Sequence, residues 1–174
     1  KKLRFSVITP IHLSEGDKDR RIPLFQKCVE SVDNQTFNHK NFEWIIVNDG
    51  STIAFELADR PWIKLINQPH LERINAYANA MKEAKGEIFC FLDSDDAFVP
   101  EYLEEVDKMF KENPEYKMFN FGAKFVHKDG RESTRDPFQP KMLDVGHEIF
   151  GGGNIVNGTF VWHRSVYDDL GGFP

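Results

Sequence analysis

The sequence predicts an α/β protein, a Rossmann-like sandwich with a mostly parallel central sheet flanked by helices, in a single domain covering residues 1–174. Three observations carry that reading. Short apolar runs rich in β-branched and aromatic residues recur along the chain, segments with helical spacing separate them, and polar clusters follow the runs where the next helix should begin.

The strand-like runs are FSVIT (5–9), FEWIIV (42–47), WIKLI (62–66) and EIFCFL (87–92), each apolar enough to be buried on both faces. Between them, Pro23 to Gln35 reads as a helix, with Leu24, Cys28 and Val32 at four-residue spacing, Phe25 and Val29 widening the stripe, and Pro23 in the first turn. Arg73 to Lys85 reads as a second helix, with Ile74, Ala78 and Met81 as its apolar face and Gly86 as its stop. A third opens at Pro100, buries Leu103, Val106 and Phe110, and ends at Asn113-Pro114. KMFNFGAKFV (117–126) reads as one strand, HKDGR (127–131) as a hairpin turn, GGGN (151–154) as a flexible stretch, and GTFVWH (158–163) as a last strand.

Composition narrows the class. With 28 acidic against 22 basic residues the net charge is −6, which excludes a nucleic-acid backbone as the main partner. No apolar run approaches a membrane span, and the leading KKLRFSVITP lacks a signal-peptide pattern. The two cysteines, Cys28 and Cys90, lie in helix-like and strand-like segments and read as buried hydrophobes. The expectation is a cytoplasmic protein.

The chemistry concentrates at strand ends. Asp93, Asp95 and Asp96 follow a buried strand, and several carboxylates at a core rim are costly without compensation. A divalent cation, Mg²⁺ or Mn²⁺, held by one or two carboxylates and by substrate phosphates answers that cost; a helix cap by Asp95 or Asp96 is the alternative for a single residue. NDGS (48–51) has two readings as well: an ordinary turn, or a turn whose Asp49 accepts from a nucleobase N–H while Gly50 admits a flat ring.

FSVITP, ESVDNQTF, FEWIIVNDGST, AKGEIFCFLDSDDAFVPEYLEEV and VWHRSVYDDLGGFP, in this order over nearly the whole chain, resemble the successive blocks of family 2 glycosyltransferases, inverting enzymes of the GT-A fold. The resemblance implies transfer of a sugar from a nucleotide diphosphate donor, with UDP favoured by family habit, to a glycan, lipid-linked or protein acceptor, with Mg²⁺ or Mn²⁺. It implies that Thr9 and Pro10 lie beside the nucleobase, that Asp49 reads its edge, that Asp93 faces the ribose, and that Asp95 is the metal ligand, with Asp96 in support. Arg73 falls in a block that often carries a basic donor-binding residue, against a solvated helix-surface arginine. His163 falls where some members place a histidine near the metal or diphosphate, against a histidine packed behind Trp162. Gly152, Gly153 and Asn154 would line the sugar or acceptor side.

Two stretches depart from the family pattern. The general base, usually an acid shortly after GGFP, is expected beyond Pro174, and Asp168 and Asp169 precede that motif on a helix surface. IHLSEGDKDRR (11–21) is longer and more charged than the usual connection and reads as a surface loop or a flap over the donor. A dehalogenase-like phosphatase would need a threonine where Ala97 stands, and a nucleotidyltransferase would need a glycine-rich basic loop that TPIHLSEG lacks. A non-catalytic nucleotide-sugar or glycan-binding module is the remaining alternative, and peripheral contact with a membrane stays open where the acceptor is lipid-linked.

Overall fold

The computed structural model describes residues 2–135 and 160–172. Four strands run parallel at its centre: β1 (Phe5–Ile11), β2 (Phe42–Asp49), β3 (Ile63–Gln68) and β4 (Ile88–Phe91). They continue into β8 (Phe160–His163), which runs antiparallel to β4, and β5 (Met118–Asn120), in the order β3-β2-β1-β4-β8-β5. The predicted layered α/β architecture is present.

Helices α1 (Lys18–Asp33) and α3 (Tyr102–Glu112) cover one face of the sheet, and α2 (Glu72–Glu83) covers the other. On the first face Phe25, Cys28 and Val32 of α1 and Leu103, Val106 and Phe110 of α3 meet Phe5, Val7, Trp44, Ile46, Ile88 and Cys90. The alternate residues Ile8, Ile45, Val47, Phe89 and Phe91 meet Ala76, Tyr77, Ala80 and Met81 of α2. Strand residues that alternate between two apolar layers must be apolar throughout, which is why these strands read as unbroken runs.

Several boundaries differ from the expected ones. Helix α1 starts at Lys18, so Pro23 lies inside it rather than in its first turn. A turn closed by Ser14 and Asp17 starts the helix early, and Pro23 merely leaves one carbonyl without its usual N–H. The charged stretch 11–21 is therefore neither loop nor flap throughout: Ile11 ends β1 and Lys18 to Arg21 are helical. Helix α2 presents Ala76, Tyr77, Ala80 and Met81 to the sheet and leaves Ile74 62% exposed, because its small alanines allow close approach on that side. Gly86 follows an extended cap at Ala84 and serves a different need from a helix stop. A Cβ on Gly86 would stand 2.3 Å from the Phe5 carbonyl carbon, so only hydrogen fits between the two chains.

The single strand expected over 117–126 is two. After β5 the chain leaves the sheet, and β6 (Ala123–Val126) pairs with β7 (Glu132–Arg135) in a separate hairpin. Its turn has the predicted Asp-Gly, with Gly130 at φ 79°. The last helix, α4 (Arg164–Asp169), carries Asp168 and Asp169 on its surface, as expected. Cys28 and Cys90 are buried and free, and burial holds both thiols protonated, with the nearby Asp96, Asp95 and Asp93 charges adding to the effect at Cys28. Among the described residues no helix is long and apolar enough to cross a membrane.

Candidate functional site

Where neighbouring strands of an open parallel sheet connect in opposite directions, the loops diverge and leave a crevice at their carboxyl ends. Here β1 lies between β2 and β4, which makes that crevice. An open cleft of ≈ 240 Å³ occupies it, lined by Pro10, Ile11 and His12 at the end of β1, Asp49 at the end of β2, His70, Glu72 and Arg73 at the entry to α2, Asp93, Ser94 and Asp95 after β4, and Arg21 from α1.

Asp49 is 3% exposed and densely held. Its Oδ1 accepts from the Leu71 N–H at 2.8 Å and from the Gln68 amide at 2.6 Å, and its Oδ2 lies 2.9 Å from His70 Nδ1. Burial pushes its carboxyl up, but the Leu71 N–H, Gln68 and His70 outweigh that and hold it below the usual range. His12 and His70 both point Nδ1 at the Asp49 carbonyl, at 2.8 and 3.1 Å, with their rings 4.4 Å apart. The turn reading of NDGS holds, and Gly50 packs against the His70 backbone. Asn48 Oδ1 accepts from the Ser51 N–H at 3.0 Å and Gly50 takes φ 68°, a structural turn, while that same turn sets Asp49 at the cleft. Glu72, the first residue of α2, has φ 72°, a strained backbone at the cleft rim.

Asp93 is held from α2 by two residues. Tyr77 donates its hydroxyl to Oδ1 at 2.5 Å, and Arg73 Nη1 stands 3.3 Å from Oδ2. The resemblance placed Arg73 in the site, and the structure brings it to Asp93. Asp95 keeps its side chain 39% exposed toward the cleft. Asp96 closes a turn through its N–H to the Asp93 carbonyl at 3.0 Å, and α3 begins only at Tyr102 with no side-chain cap, so neither Asp95 nor Asp96 caps that helix. Asp96 is exposed as a residue, yet the protein surrounding its carboxyl, and after that the charges of Asp93 and Asp95, raise its pKa to about 6. Carboxylates that repel one another at a strand end, with hard oxygen donors open to the cleft, suit Mg²⁺ or Mn²⁺ with most ligands supplied from elsewhere. Among the described residues no three His, Cys, Asp or Glu side chains form a group that could hold a metal ion by themselves.

Two expected site residues lie elsewhere. Thr9 is fully buried on the α1 face of the sheet, and its hydroxyl accepts from Trp44 Nε1 at 2.8 Å, so its side chain belongs to the core while Pro10 lines the cleft. Successive strand residues face opposite sides of the sheet, and at Thr9 the side chain turns into the α1 layer beside Trp44. His163 pairs in register with Ile88, the first residue of β4, which puts it roughly 15 Å down the sheet from Asp93. Its Nδ1 engages Ser165, and its neighbours are Lys117, Glu87 and Arg4; burial first, then Lys117, lowers its pKa. A metal shared with Asp95 is out of its reach. Gly152, Gly153 and Asn154 lie outside the described residues.

Arg21 was missed by sequence reasoning. It donates from Nη2 to Ser94 Oγ at 2.9 Å and stands 3.7 Å from Asp95. The available signal was Asp17 one turn before it, a pairing that makes 17–21 the start of a helix rather than a charge run.

The comparisons with known proteins agree with this geometry. The uncharacterised glycosyltransferase YwdF of Bacillus subtilis is 31% identical over 165 residues, which covers 88% of this chain and 58% of YwdF. The poly(ribitol-phosphate) beta-glucosyltransferase of Bacillus spizizenii is 31% identical over 119 residues, 64% of this chain and 18% of that protein. Among solved structures, residues 1–349 of S. aureus TarS in complex with UDP-GlcNAc superpose with a TM-score of 0.72 at 20% identity, covering 99% of this chain and 49% of that one. The mannosyltransferase PcManGT of Pyrobaculum calidifontis, in complex with GDP-Man and Mn²⁺, gives a TM-score of 0.65 at 18% identity over 100% of this chain and 48% of its own. The chain thus spans less than two thirds of each of these proteins, and the structural likeness establishes a shared GT-A fold. The family profile described as Glycosyl transferase family 2 matches residues 6–171, and the chain belongs to that family of glycosyltransferases.

Proposed function

We propose that the cleft binds a nucleotide diphosphate sugar, a UDP-sugar in preference to others, and takes part in metal-dependent transfer of its sugar, with inversion, to a glycan or lipid-linked acceptor. The observation that carries this is the convergence of Asp49, Asp93 and Asp95 from the ends of two different strands on the one crevice where the sheet changes direction.

In this reading the base lies against Pro10, and Asp49, already ionised and oriented by Leu71 and Gln68, accepts from its N–H edge. Asp93, fixed by Tyr77 and Arg73, faces the ribose hydroxyls. Asp95, with Asp96 in support, would hold Mg²⁺ or Mn²⁺, which when bound neutralises the charge that develops on the leaving diphosphate. Gly152, Gly153 and Asn154 are assigned to the sugar side, and the acid that deprotonates the acceptor to chain beyond Pro174. We place the reaction in the cytoplasm, with lipid-linked acceptors met at a membrane's cytosolic face.

A thermal-shift panel of UDP and GDP, with and without Mn²⁺, tests the assignment. UDP should raise Tm far more with Mn²⁺ than without it, and Asp95→Ala should remove that metal-dependent rise. An unchanged rise in Asp95→Ala would overturn the metal assignment. Binding with neither donor hydrolysis nor transfer, in a chain extended past Pro174, would instead favour a nucleotide-sugar-binding module.

A further inference from the structure

The GT-A cleft has an acidic wall where an anionic diphosphate must sit. Asp49, Glu72, Asp93 and Asp95 all line it, and Arg73, its side chain 58% exposed, is spent on Asp93. Among the described residues that line the cleft, one further arginine faces that wall. Arg21 enters from α1 with its side chain 21% exposed.

The chain before it is organised to present that guanidinium. The Ser14 N–H and hydroxyl both donate to Asp17 Oδ1, at 3.0 and 2.9 Å, and these two contacts hold Asp17 below the usual carboxylate range. Its other oxygen lies 3.7 Å from Arg21 Nε, one helical turn on. At the far end, Nη2 donates to the buried Ser94 hydroxyl at 2.9 Å, while Nη1 stays 3.7 Å from Asp95 Oδ2, beyond hydrogen-bond reach. A guanidinium has five N–H donors. Ser94 takes one, Nε is buried and closed to a ligand, and the remaining donors are those of the Nη groups beside Ser94 and Asp95. A planar cation held in place but left short of acceptors beside a metal-type carboxylate matches the oxygens of a phosphate group.

We propose that Arg21 is a binding residue for the donor's diphosphate, a protein-borne positive charge that works beside the metal at Asp95 and persists when the metal is removed. The inference rests on the nucleotide-sugar reading above. It assigns a contact to the first turn of α1, which the turn at Ser14 and Asp17 leads into.

Calorimetric titration with UDP and with uridine, each in Mn²⁺ and in EDTA, tests it. In EDTA the wild-type protein should bind UDP about tenfold or more tightly than uridine, as one charge-assisted contact predicts. Arg21→Gln should erase that preference and weaken UDP about 10- to 100-fold in Mn²⁺, leaving uridine within about twofold. Arg21→Lys should fall between. Equal binding of UDP and uridine by the wild type in EDTA overturns the proposal without any variant and leaves the metal-dependent reading intact. UDP binding unchanged in Arg21→Gln, or uridine weakened as much as UDP, also overturns it, because Arg21 would then be absent from the site or only bracing α1. Failure of the wild type to bind either compound in Mn²⁺ removes the nucleotide-sugar reading itself, and this proposal with it.

Discussion

Tyr77 donates its hydroxyl to Asp93 Oδ1 at 2.5 Å, joining the buried face of α2 to the first acid after β4. Tyr77 is 5% exposed and its ring packs edge-on against Phe91 at 5.3 Å, so one side chain both fills the core and aims a cleft carboxylate.

Replacing Tyr77 with Phe keeps the ring and removes the bond. A hydrogen bond to a charged group is worth about 1.5–3 kcal/mol, and the stability lost in urea unfolding should fall in that range. UDP should bind more weakly as Asp93 loses its orientation. Unchanged stability would mean that water replaces the hydroxyl at no cost.

Thr9 separates a core role from a site role. Thr9→Val leaves the buried Trp44 N–H without an acceptor, at a cost of about 1–3 kcal/mol in chemical denaturation, while the dissociation constant for UDP should stay as in the wild type. A variant of native stability with impaired nucleotide binding would return Thr9 to the nucleobase.

Gly86 and Gly50 should both resist a methyl group. A Cβ at Gly86 meets the β1 backbone at 2.3 Å, and at Gly50, with φ 68°, it meets His70 N at 2.6 Å. Overpacking of this kind costs about 1–3 kcal/mol. Gly50→Ala should also disturb His70 and hence nucleotide binding, whereas Gly86→Ala, at the other end of the sheet, should change stability alone.

The His70 and Asp49 pair sets a pH dependence whose direction follows from the two shifts. The Asp49 carbonyl first, then the charges of Asp49 and Glu72, raise His70 above its ordinary 6.5. Its contribution is therefore complete below pH 6.5 and fades as pH climbs through the raised value. Asp49 is lowered from 3.8, so its own contribution holds above that pH and fades as pH falls through the lowered value. The Tm difference between wild type and His70→Gln should be widest between these limits and shrink toward alkaline pH. A difference that grows with pH would reverse the assignment.

The parts of this fold that were legible in the sequence are those where one local rule decides. Phe42–Val47 is apolar on both faces because helices cover both, and Leu103, Val106 and Phe110 repeat at helical spacing because one face of α3 is buried. The acids after β4 stood out because a strand that ends in three carboxylates is expensive. What escaped depended on partners distant in sequence. Thr9 looks like its cleft-lining neighbour Pro10 until Trp44, thirty-five positions away, claims the hydroxyl. Arg21 looked like part of a solvated charge run because Ser94 and Asp95 arrive from another strand. His163 was set beside the metal by its motif, and the antiparallel direction of β8, invisible in local periodicity, sends it to the opposite rim.

That reversed strand also dictates an order of assembly. Among the described residues β5 reaches the sheet only through β8, so a nascent chain halted before Phe160 lacks the strand that joins β5 to β4. Ile88, Phe89 and Cys90 would then offer their backbone to any extended peptide nearby. Polypeptides cut short of that point should clump when synthesised, and adding back even the few residues of β8 should restore solubility.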